Sequence, residues 1–253
     1  MREWITGRNP IHELLQARRR QVFRLLVAEG VQEKGRLSQI LQIAASRKLK
    51  VEHVSRAQLD RIGQGHQGVA LEASPYSYAN LEDILDLAST RQEPAFILIL
   101  DTLQDPQNMG TLLRTSEAVG VHGVVLPLRR TATVTPAVVH ASSGASEHLL
   151  IVQANLAQAI STLKEQGVWI VGLEGDPQAE GVENVRLDGT LALVVGNEGE
   201  GMRRLVKDSC DVLMRLPMRG RVASLNAAAA GSVALYLAWQ AREFKGQVTP
   251  PLG

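Results

Sequence analysis

The feature that most constrains this chain is a series of short apolar runs in its second half, each followed by a stretch with helical spacing. The first run, AFILIL at 95–100, contains no polar residue, and such runs are typical of parallel strands buried on both faces. Their alternation with helices predicts an α/β fold with a parallel sheet and ligand sites at the carboxyl ends of the strands. The other predicted strands cover 123–126, 149–152, 168–173, 191–195 and 212–216, and the clearest helix between them covers 155–166.

The first 75 residues follow a different pattern, which predicts a small α/β unit of its own. Helices are expected at 10–20, 37–47 and 57–62, and strands at 22–28, 50–54 and 68–72. A Ser-Pro-Tyr-Ser-Tyr stretch at 74–78 then breaks the pattern, and polar residues at 90–94 end a short amphipathic stretch. We therefore predict two domains, 1–75 and 95–253, joined by a linker at 76–94.

Composition favours a folded cytoplasmic protein over the disordered, metal-binding and membrane classes. The 253 residues are 45% apolar and 21% charged, which suffices for an ordinary core. Cys210 is the single cysteine and the six histidines show no paired spacing, so neither a disulfide nor a metal site is expected. No window approaches the roughly 20 apolar residues of a membrane helix, and the start lacks the apolar stretch of a secretory signal.

The charges are unevenly divided along the chain, although their sum is only +1. Residues 1–75 carry 13 Lys and Arg against 7 Asp and Glu, a balance of +6, whereas residues 76–253 carry 14 against 19, a balance of −5. A basic segment of this size can bind the phosphates of a nucleic acid. The same side chains can also be solvated helix ends, and charge alone leaves both interpretations open.

Three motifs follow predicted strands and therefore share one edge of the predicted sheet. The first, DPQNMGTLLRT at 105–115, has a turn-and-helix start and places Asn108 and Arg114 near a helix N-terminus, where anions are favoured. The second, VVGNEGEGM at 194–202, combines glycines that permit close backbone approach to a ligand with one amide and two carboxylates. The third, LPMRGRVASLNAAAAG at 216–231, leads through a loop to Ser224, a candidate N-cap, and then Asn226 and an alanine-rich helix.

Taken singly, each motif also has a purely structural interpretation: a surface arginine, a tight turn and a closely packed helix. The second motif is not the dinucleotide fingerprint and lacks the lysine of a P-loop. In order and content, however, the three together resemble the signature motifs of the SpoU/TrmH family of RNA ribose methyltransferases, over residues 95–243. GRNPIHELL at 7–15 and HQGVALEA at 66–73 extend the resemblance to the N-terminal RNA-binding domain of members that methylate a guanosine in 23S ribosomal RNA.

The resemblance implies S-adenosylmethionine as cofactor, no metal, and a deep trefoil knot in the parallel-sheet domain. The small N-terminal domain is expected to be similar to a ribosomal-protein α/β fold and to bind RNA. The implied catalytic-site positions are Arg114, Asn108, Glu198, Ser224 and Asn226. The implied cofactor contacts are Gly196, Leu216 and Leu225, with Leu173, Met218 and Ser224 nearby. An antiparallel homodimer through the C-terminal domain is also implied, with Leu235, Tyr236 and Trp239 offering apolar area.

The implied reaction is in-line attack of a ribose 2′-oxygen on a sulfonium methyl group, which requires a base or an environment that favours the alkoxide. The family assigns this task to the arginine at Arg114. Arginine is a poor base, so two roles stay open: a base deprotonated in a desolvated site, or a cation that stabilises the alkoxide. Glu198 is expected to hold neighbouring loops or Arg114, and Asn108 and Asn226 to orient Arg114 and the ribose or to tie loops together.

The sequence departs from the family pattern at one place and is compatible with several alternative functions. Ala227 and Ala228 stand where members often have Val-Ser, so this chain lacks the hydroxyl of that serine. A catalytically silent RNA-binding protein and a nucleotide-dependent enzyme with another cofactor are the rival classes. Within the family, a tRNA guanosine is the alternative to a 23S ribosomal guanosine.

Overall fold

The computed structural model describes residues 2–129, 131–222 and 224–248. The first part is a small α/β unit made of β1 (Glu3–Thr6), α1 (Arg8–Ala17), β2 (Val22–Ala28), α2 (Arg36–Ser46), β3 (Lys50–Val54), α3 (Arg56–Asp60) and β4 (Val69–Ala73). The strands form one sheet of order β1-β4-β2-β3, in which β2 and β3 are parallel and the other pairs are antiparallel. The predicted elements of this unit are confirmed, and β1 is a strand that the sequence did not indicate.

The second part is a larger α/β unit that begins after the small sheet. Its elements are α4 (Leu81–Arg91), β5 (Phe96–Leu100), α5 (Pro106–Ala118), β6 (Gly123–Pro127), α6 (Pro136–Ala141), β7 (Leu150–Ala154), α7 (Leu156–Glu165), β8 (Trp169–Leu173), β9 (Glu180–Gly181), β10 (Leu191–Val195), α8 (Arg204–Ser209), β11 (Val212–Arg215) and α9 (Ala227–Ala241). Short 3₁₀ turns cover Ala145–Glu147 and Val182–Asn184. The strands form a sheet of order β7-β6-β5-β10-β8-β11-β9, in which all pairs are parallel.

The large sheet is covered on both faces, which explains its uninterrupted apolar strands. Successive side chains of a strand point to opposite faces, and along β10 Leu193 packs in the cluster with α5, α6 and α9 whereas Val194 packs in the cluster with α4, α7 and α8. Both side chains are fully buried. The predicted α/β fold class with a covered parallel sheet is therefore confirmed.

The segment predicted as a linker contains a regular helix, α4. Its N-cap, Asn80, forms a capping box with Asp83, so the helix start is fixed by local hydrogen bonds. Ile84 of α4 is fully buried and packs directly against Gly123 of β6. A Cβ added to Gly123 would lie only 2.4 Å from the Ile84 side chain. The segment is thus packed on the large sheet, while the domain boundaries 1–75 and 95–253 stay a prediction.

The small unit is docked on the large one through buried polar contacts. Arg20 lies 3.0 Å (Nε) and 2.7 Å (Nη2) from the two carboxylate oxygens of Glu147, and both side chains are fully buried. Tyr76 donates to the carbonyl of Leu149 at 2.7 Å, and burial raises the pKa of its hydroxyl to about 12. Burial also raises the pKa of Glu147, against the opposing effect of Arg20.

Two further properties concern the chain as a whole. Across the described ranges, no helix combines the length and the apolarity needed to cross a bilayer. The trefoil knot implied by the resemblance stays a prediction.

Candidate functional site

A cavity of about 490 Å³ opens at the carboxyl edge of the large sheet, where the loops after β8, β10 and β11 meet the first turn of α9. It contains all six positions expected to contact a cofactor and also Glu198 of the catalytic set. The cofactor positions in its wall are Leu173, Gly196, Leu216, Met218, Ser224 and Leu225. The structure thus brings together residues that are up to 52 positions apart (225 − 173).

Gly196 is held at a close approach of two chain segments. A Cβ at this position would lie 2.3 Å from the carbonyl carbon of Gly201 and 2.4 Å from the nitrogen of Met202, both backbone atoms. The loop is closed by a reciprocal pair of backbone hydrogen bonds between Asn197 and Gly201, at 3.1 and 3.0 Å. Because nothing but hydrogen fits there, only a glycine at position 196 lets the loop close in this way at the cavity wall.

The three motifs are joined by side-chain hydrogen bonds centred on one carboxylate. Asn108 donates to Oε1 of Glu198 at 2.6 Å, and Asn226 donates to the same oxygen and to Oδ1 of Asn108, the latter at 3.2 Å. Each motif contributes one member. Of the roles left open for these residues, the geometry favours the one in which they tie the loops together.

Asn226 also begins α9, which corrects the prediction for Ser224. The Oδ1 atom of Asn226 accepts from the backbone nitrogens of Ala228 at 2.9 Å and Ala229 at 3.1 Å. Asn226 is therefore the N-cap, whereas Ser224 is an exposed loop residue in the cavity wall. The Ser224 prediction failed because both residue types favour N-caps and only the helix bounds distinguish them.

Among the described residues, Arg114 is not one that lines the cavity, and its side chain is bonded outside the Asn108–Glu198–Asn226 cluster. It is the ninth residue of the thirteen in α5, so the prediction that it lies near the helix N-terminus was wrong. Its side chain is exposed, and its Nη1 donates to the hydroxyl of Ser143 at 3.3 Å. None of the ion pairs found among the described residues involves Arg114, so its charge is available to an external anion.

Two ion pairs near the cavity were not anticipated from the sequence. Asp101, fully buried at the end of β5, accepts from the backbone nitrogen and from Nε of Arg203, both at 2.7 Å, and so fastens the far end of the glycine loop. Glu174 in the cavity wall lies 3.1 Å from Nζ of Lys207. The polar Asp101 directly after an unbroken apolar run was the one available signal.

Among the described residues, neither the cysteine nor a group of metal-binding side chains provides a further site. Burial raises the pKa of the Cys210 thiol to about 12, and its Sγ donates to the carbonyl of Val206 at 3.3 Å. Within residues 2–129, 131–222 and 224–248, no cluster of three His, Cys, Asp or Glu is arranged to hold a metal. Leu235, expected to offer apolar area to a partner, is instead fully buried in the core of its own chain.

Comparison with known proteins shows to which protein family the residues around this cavity belong. The sequence profile of the SpoU rRNA methylase family matches residues 95–236, which contain the whole cavity and all three motifs. The chain belongs to the SpoU family. In this SpoU protein, residues 4–79 match a second profile, described as RNA 2′-O ribose methyltransferase substrate binding.

Relatives and solved structures match the SpoU chain over nearly its full length. The YacO protein of Bacillus subtilis (strain 168), assigned to the TrmH family of tRNA/rRNA methyltransferases, is 39% identical over 97% of this chain and 98% of its own. A TrmH family relative from Staphylococcus aureus (strain MW2) is 39% identical over 96% and 98%. The AviRb SpoU methyltransferase of Streptomyces viridochromogenes, solved with AdoMet, shares the fold at a TM-score of 0.79 and 21% identity over 96% and 91% of the two chains. A crystal structure of an RNA 2′-O ribose methyltransferase has a TM-score of 0.76 and 25% identity over 96% and 89%.

Proposed function

We propose that this protein methylates the ribose 2′-oxygen of a guanosine in 23S ribosomal RNA, in the cytoplasm, with S-adenosylmethionine as methyl donor. The observation that carries the proposal is the cavity whose walls come from the second and third motifs, with the first motif tied to them through Glu198. Membership of the SpoU family supports methyl transfer to RNA.

The cavity suits a cofactor that has both apolar and hydrogen-bonding parts. Leu216 and Leu225 offer apolar side chains, while Gly196 contributes main-chain atoms to the cavity wall. The solved AviRb structure, which shares this fold, contains AdoMet. When bound, this cofactor supplies a methyl group on a sulfonium, which is already a good leaving group.

The protein's own task is to align the ribose hydroxyl and to stabilise the charge that develops on its oxygen. Of the two roles left open for Arg114, we propose the cationic one, because its exposed guanidinium donates to a neutral hydroxyl and carries no carboxylate partner among the described ion pairs. Glu198 is occupied by two amide donors and therefore serves as a tie between loops rather than as the base.

The ribosomal substrate is proposed from the first unit of the chain. Residues 4–79 match a substrate-binding profile and carry 12 Lys and Arg against 6 Asp and Glu, the same balance of +6 as residues 1–75, which suits a polyanion. The AviRb structure and that of an RNA 2′-O ribose methyltransferase each align with 96% of the chain, whereas a TrmH/SpoU tRNA modifying enzyme of A. aeolicus aligns with 66%. A tRNA guanosine remains the second candidate.

Mapping of 2′-O-methyl groups on total RNA tests the proposal. RNA is compared from cells with the gene, without it, and without it but carrying the Arg114→Ala variant. Loss of one ribosomal guanosine methyl group in the last two samples is expected. Loss at a tRNA guanosine supports the alternative substrate, and unchanged maps contradict the enzyme function. Calorimetric titration with S-adenosylmethionine, with NAD and ATP as controls, tests the cofactor separately.

We also propose that two copies associate through α9. Val233 and Tyr236, with 44% and 48% of their surfaces exposed, border an apolar groove together with Phe244, which is 38% exposed. Exposed apolar groups of this size favour burial against a partner. Light scattering should give twice the 27.5 kDa chain mass for the native protein and a lower mass for Tyr236→Asp, and a native monomer contradicts the proposal.

A further inference from the structure

Residues 140–149, which we term the docking segment, lie between Arg114 and the small N-terminal unit. The segment runs from the last turn of α6 through the 3₁₀ turn Ala145–Glu147 to the start of β7. One side of it packs on α5 and the other on α1 and β1. No position of the docking segment was predicted to take part in the reaction.

On one side, the docking segment is fixed by the small unit. The Arg20–Glu147 pair is fully buried, with oxygen–nitrogen distances of 3.0 and 2.7 Å. His148 is hydrogen-bonded to Glu13 of α1 at 2.9 Å. A buried pair of charges with two contacts is costly to separate, so the segment and the small unit move together.

The turn in the docking segment also fits closely against α1. Gly144 has a φ of +88°, and a Cβ there would lie 2.8 Å from Cβ of Glu13 and 3.0 Å from Cα of Pro10. The backbone of the turn therefore touches the helix of the small unit directly. The residue before it, Ser143, is also in the left-handed region, at φ +53°, where it ends α6: its backbone nitrogen donates to the carbonyl of His140 at 3.0 Å, and that of Gly144 donates to the carbonyl of Val139 at 2.9 Å.

On the other side, the docking segment reaches the helix that carries Arg114. A Cβ on Gly110 would lie 2.8 Å from both the carbonyl carbon of Ala141 and the nitrogen of Ser142, so α5 and the segment are in backbone contact. One turn further along α5, the hydroxyl of Ser143 accepts from Nη1 of Arg114 at 3.3 Å. The small unit and Arg114 are thus connected through a few tightly packed residues.

We propose that Ser143 is a positioning residue for Arg114, and that docking of the small unit holds the turn that carries Ser143 in place beside α5. An exposed arginine samples many rotamers, and the hydroxyl of Ser143 selects those in which the guanidinium faces the docking segment. The small unit therefore contributes to the chemical step as well as to RNA binding. This inference rests on the proposed role of Arg114 in stabilising the alkoxide.

Steady-state methyl transfer tests the role of Ser143. The substrate is total RNA from cells lacking the gene, and the methyl donor is tritiated S-adenosylmethionine. Ser143→Ala removes the acceptor and should lower kcat about tenfold, with KM for RNA and cofactor unchanged within about twofold. Ser143→Asn should restore most of the rate, because asparagine tolerates positive φ and offers an oxygen. Ser209→Ala, which removes a hydroxyl bonded to the carbonyl of Leu205, should change nothing.

A double variant separates failure of this inference from failure of the proposed function. Arg114→Ala should lower kcat by about 100-fold or more, and adding Ser143→Ala to it should have no further effect. Unchanged kcat in Arg114→Ala overturns the proposed role of the arginine. A normal rate in Ser143→Ala, beside a slow Arg114→Ala, overturns only the positioning role, as does a raised KM for RNA at normal kcat.

A separate variant tests whether the buried Arg20–Glu147 pair affects the chemical step. Glu147→Gln keeps the shape of the buried contact but removes one charge, so the docking segment is held less firmly. We expect kcat to fall about threefold or more with cofactor affinity unchanged. If this variant does not fold, His148→Ala, which removes the exposed contact to Glu13, takes its place. A normal kcat in the folded variant overturns the dependence on docking.

Discussion

At the scale of single residues, the glycine loop after β10 depends on the missing side chain of Gly196. Gly196→Ala would place a methyl group 2.3 Å from a backbone carbon that cannot move aside without opening the loop. We expect the affinity for S-adenosylmethionine to fall at least about tenfold and the protein to lose roughly 1–3 kcal/mol of stability. Calorimetric titration and denaturant unfolding measure the two effects.

Gly199 provides the matched control in the same loop. A Cβ on Gly199 would meet only the side-chain oxygen of Asn197, at 3.7 Å, which is an ordinary contact. Gly199→Ala should therefore leave the stability in denaturant unfolding unchanged. Equal losses in the two variants would mean that the loop tolerates no substitution and that the close approach at Gly196 is not the cause.

Asn226 both caps α9 and links the third motif to Glu198. Comparison with a second N-cap variant separates these two roles. Asn226→Ala removes the N-cap of α9 and the link between Glu198 and the third motif. Asn155→Ala removes only an N-cap, that of α7. Both should lose about 1 kcal/mol of stability, but only Asn226→Ala should weaken cofactor binding. Equal cofactor affinity in both variants would contradict the role of the link.

At the scale of elements, α5 is held both by buried side chains and by a close backbone contact at Gly110. Gly110→Ala would place Cβ 2.4 Å from Cβ of Ala141 and 2.8 Å from its carbonyl carbon. Alanine gains about 1 kcal/mol over glycine in a helix, whereas overpacking costs roughly 1–3 kcal/mol. The substitution should therefore destabilise the protein in denaturant unfolding. Gly189→Ala, whose Cβ would be 3.8 Å from its nearest neighbour, should be neutral.

The elements that the sequence predicts best are the strands of the large sheet and most of the small unit. The strand at 191–195 is uninterrupted and buried on both faces, so its pattern coincides with its bounds. β1 escaped prediction because only Ile5 of its four residues is fully buried, and β9 because it has two residues. Short strands depend on their neighbours for pairing and leave little pattern of their own.

The sequence predicts which motif residues lie at the candidate site but not the hydrogen bonds between them. The motifs place Asn108, Glu198 and Asn226 at one edge because parallel strands end there. Their mutual hydrogen bonds, and the ion pair of Asp101 with Arg203, join residues up to 118 positions apart. Such contacts depend on the path of the chain in three dimensions, which no local spacing encodes.

At the scale of the whole molecule, the contact between the two units should weaken in acid. Burial alone would raise the pKa of Glu13, but hydrogen bonds to His12 and His148 outweigh it and lower the pKa below 4.5. A lowered carboxyl pKa means that its stabilisation is present above the ordinary value and is lost as the pH falls through the lowered one.

The melting temperatures of the native protein and Glu13→Gln test this dependence. We expect the native protein to melt a few degrees higher at pH 6 and the difference to shrink as the pH falls through the lowered pKa of Glu13. Glu29→Gln, a change at an exposed position, should give the same small difference at every pH. A constant gap between native protein and Glu13→Gln would show that the contact does not depend on the charge of Glu13.

The buried pair of Arg20 and Glu147 limits how the two units can be exchanged between proteins. Fusing the large unit to a foreign RNA-binding domain would leave Glu147 facing a surface without its arginine, and an uncompensated buried charge costs about 3–5 kcal/mol. A workable hybrid must bring its own arginine to that place or replace Glu147 with an apolar residue. The small unit and the surface of the large unit on which it packs therefore depend on each other, and neither can be exchanged independently.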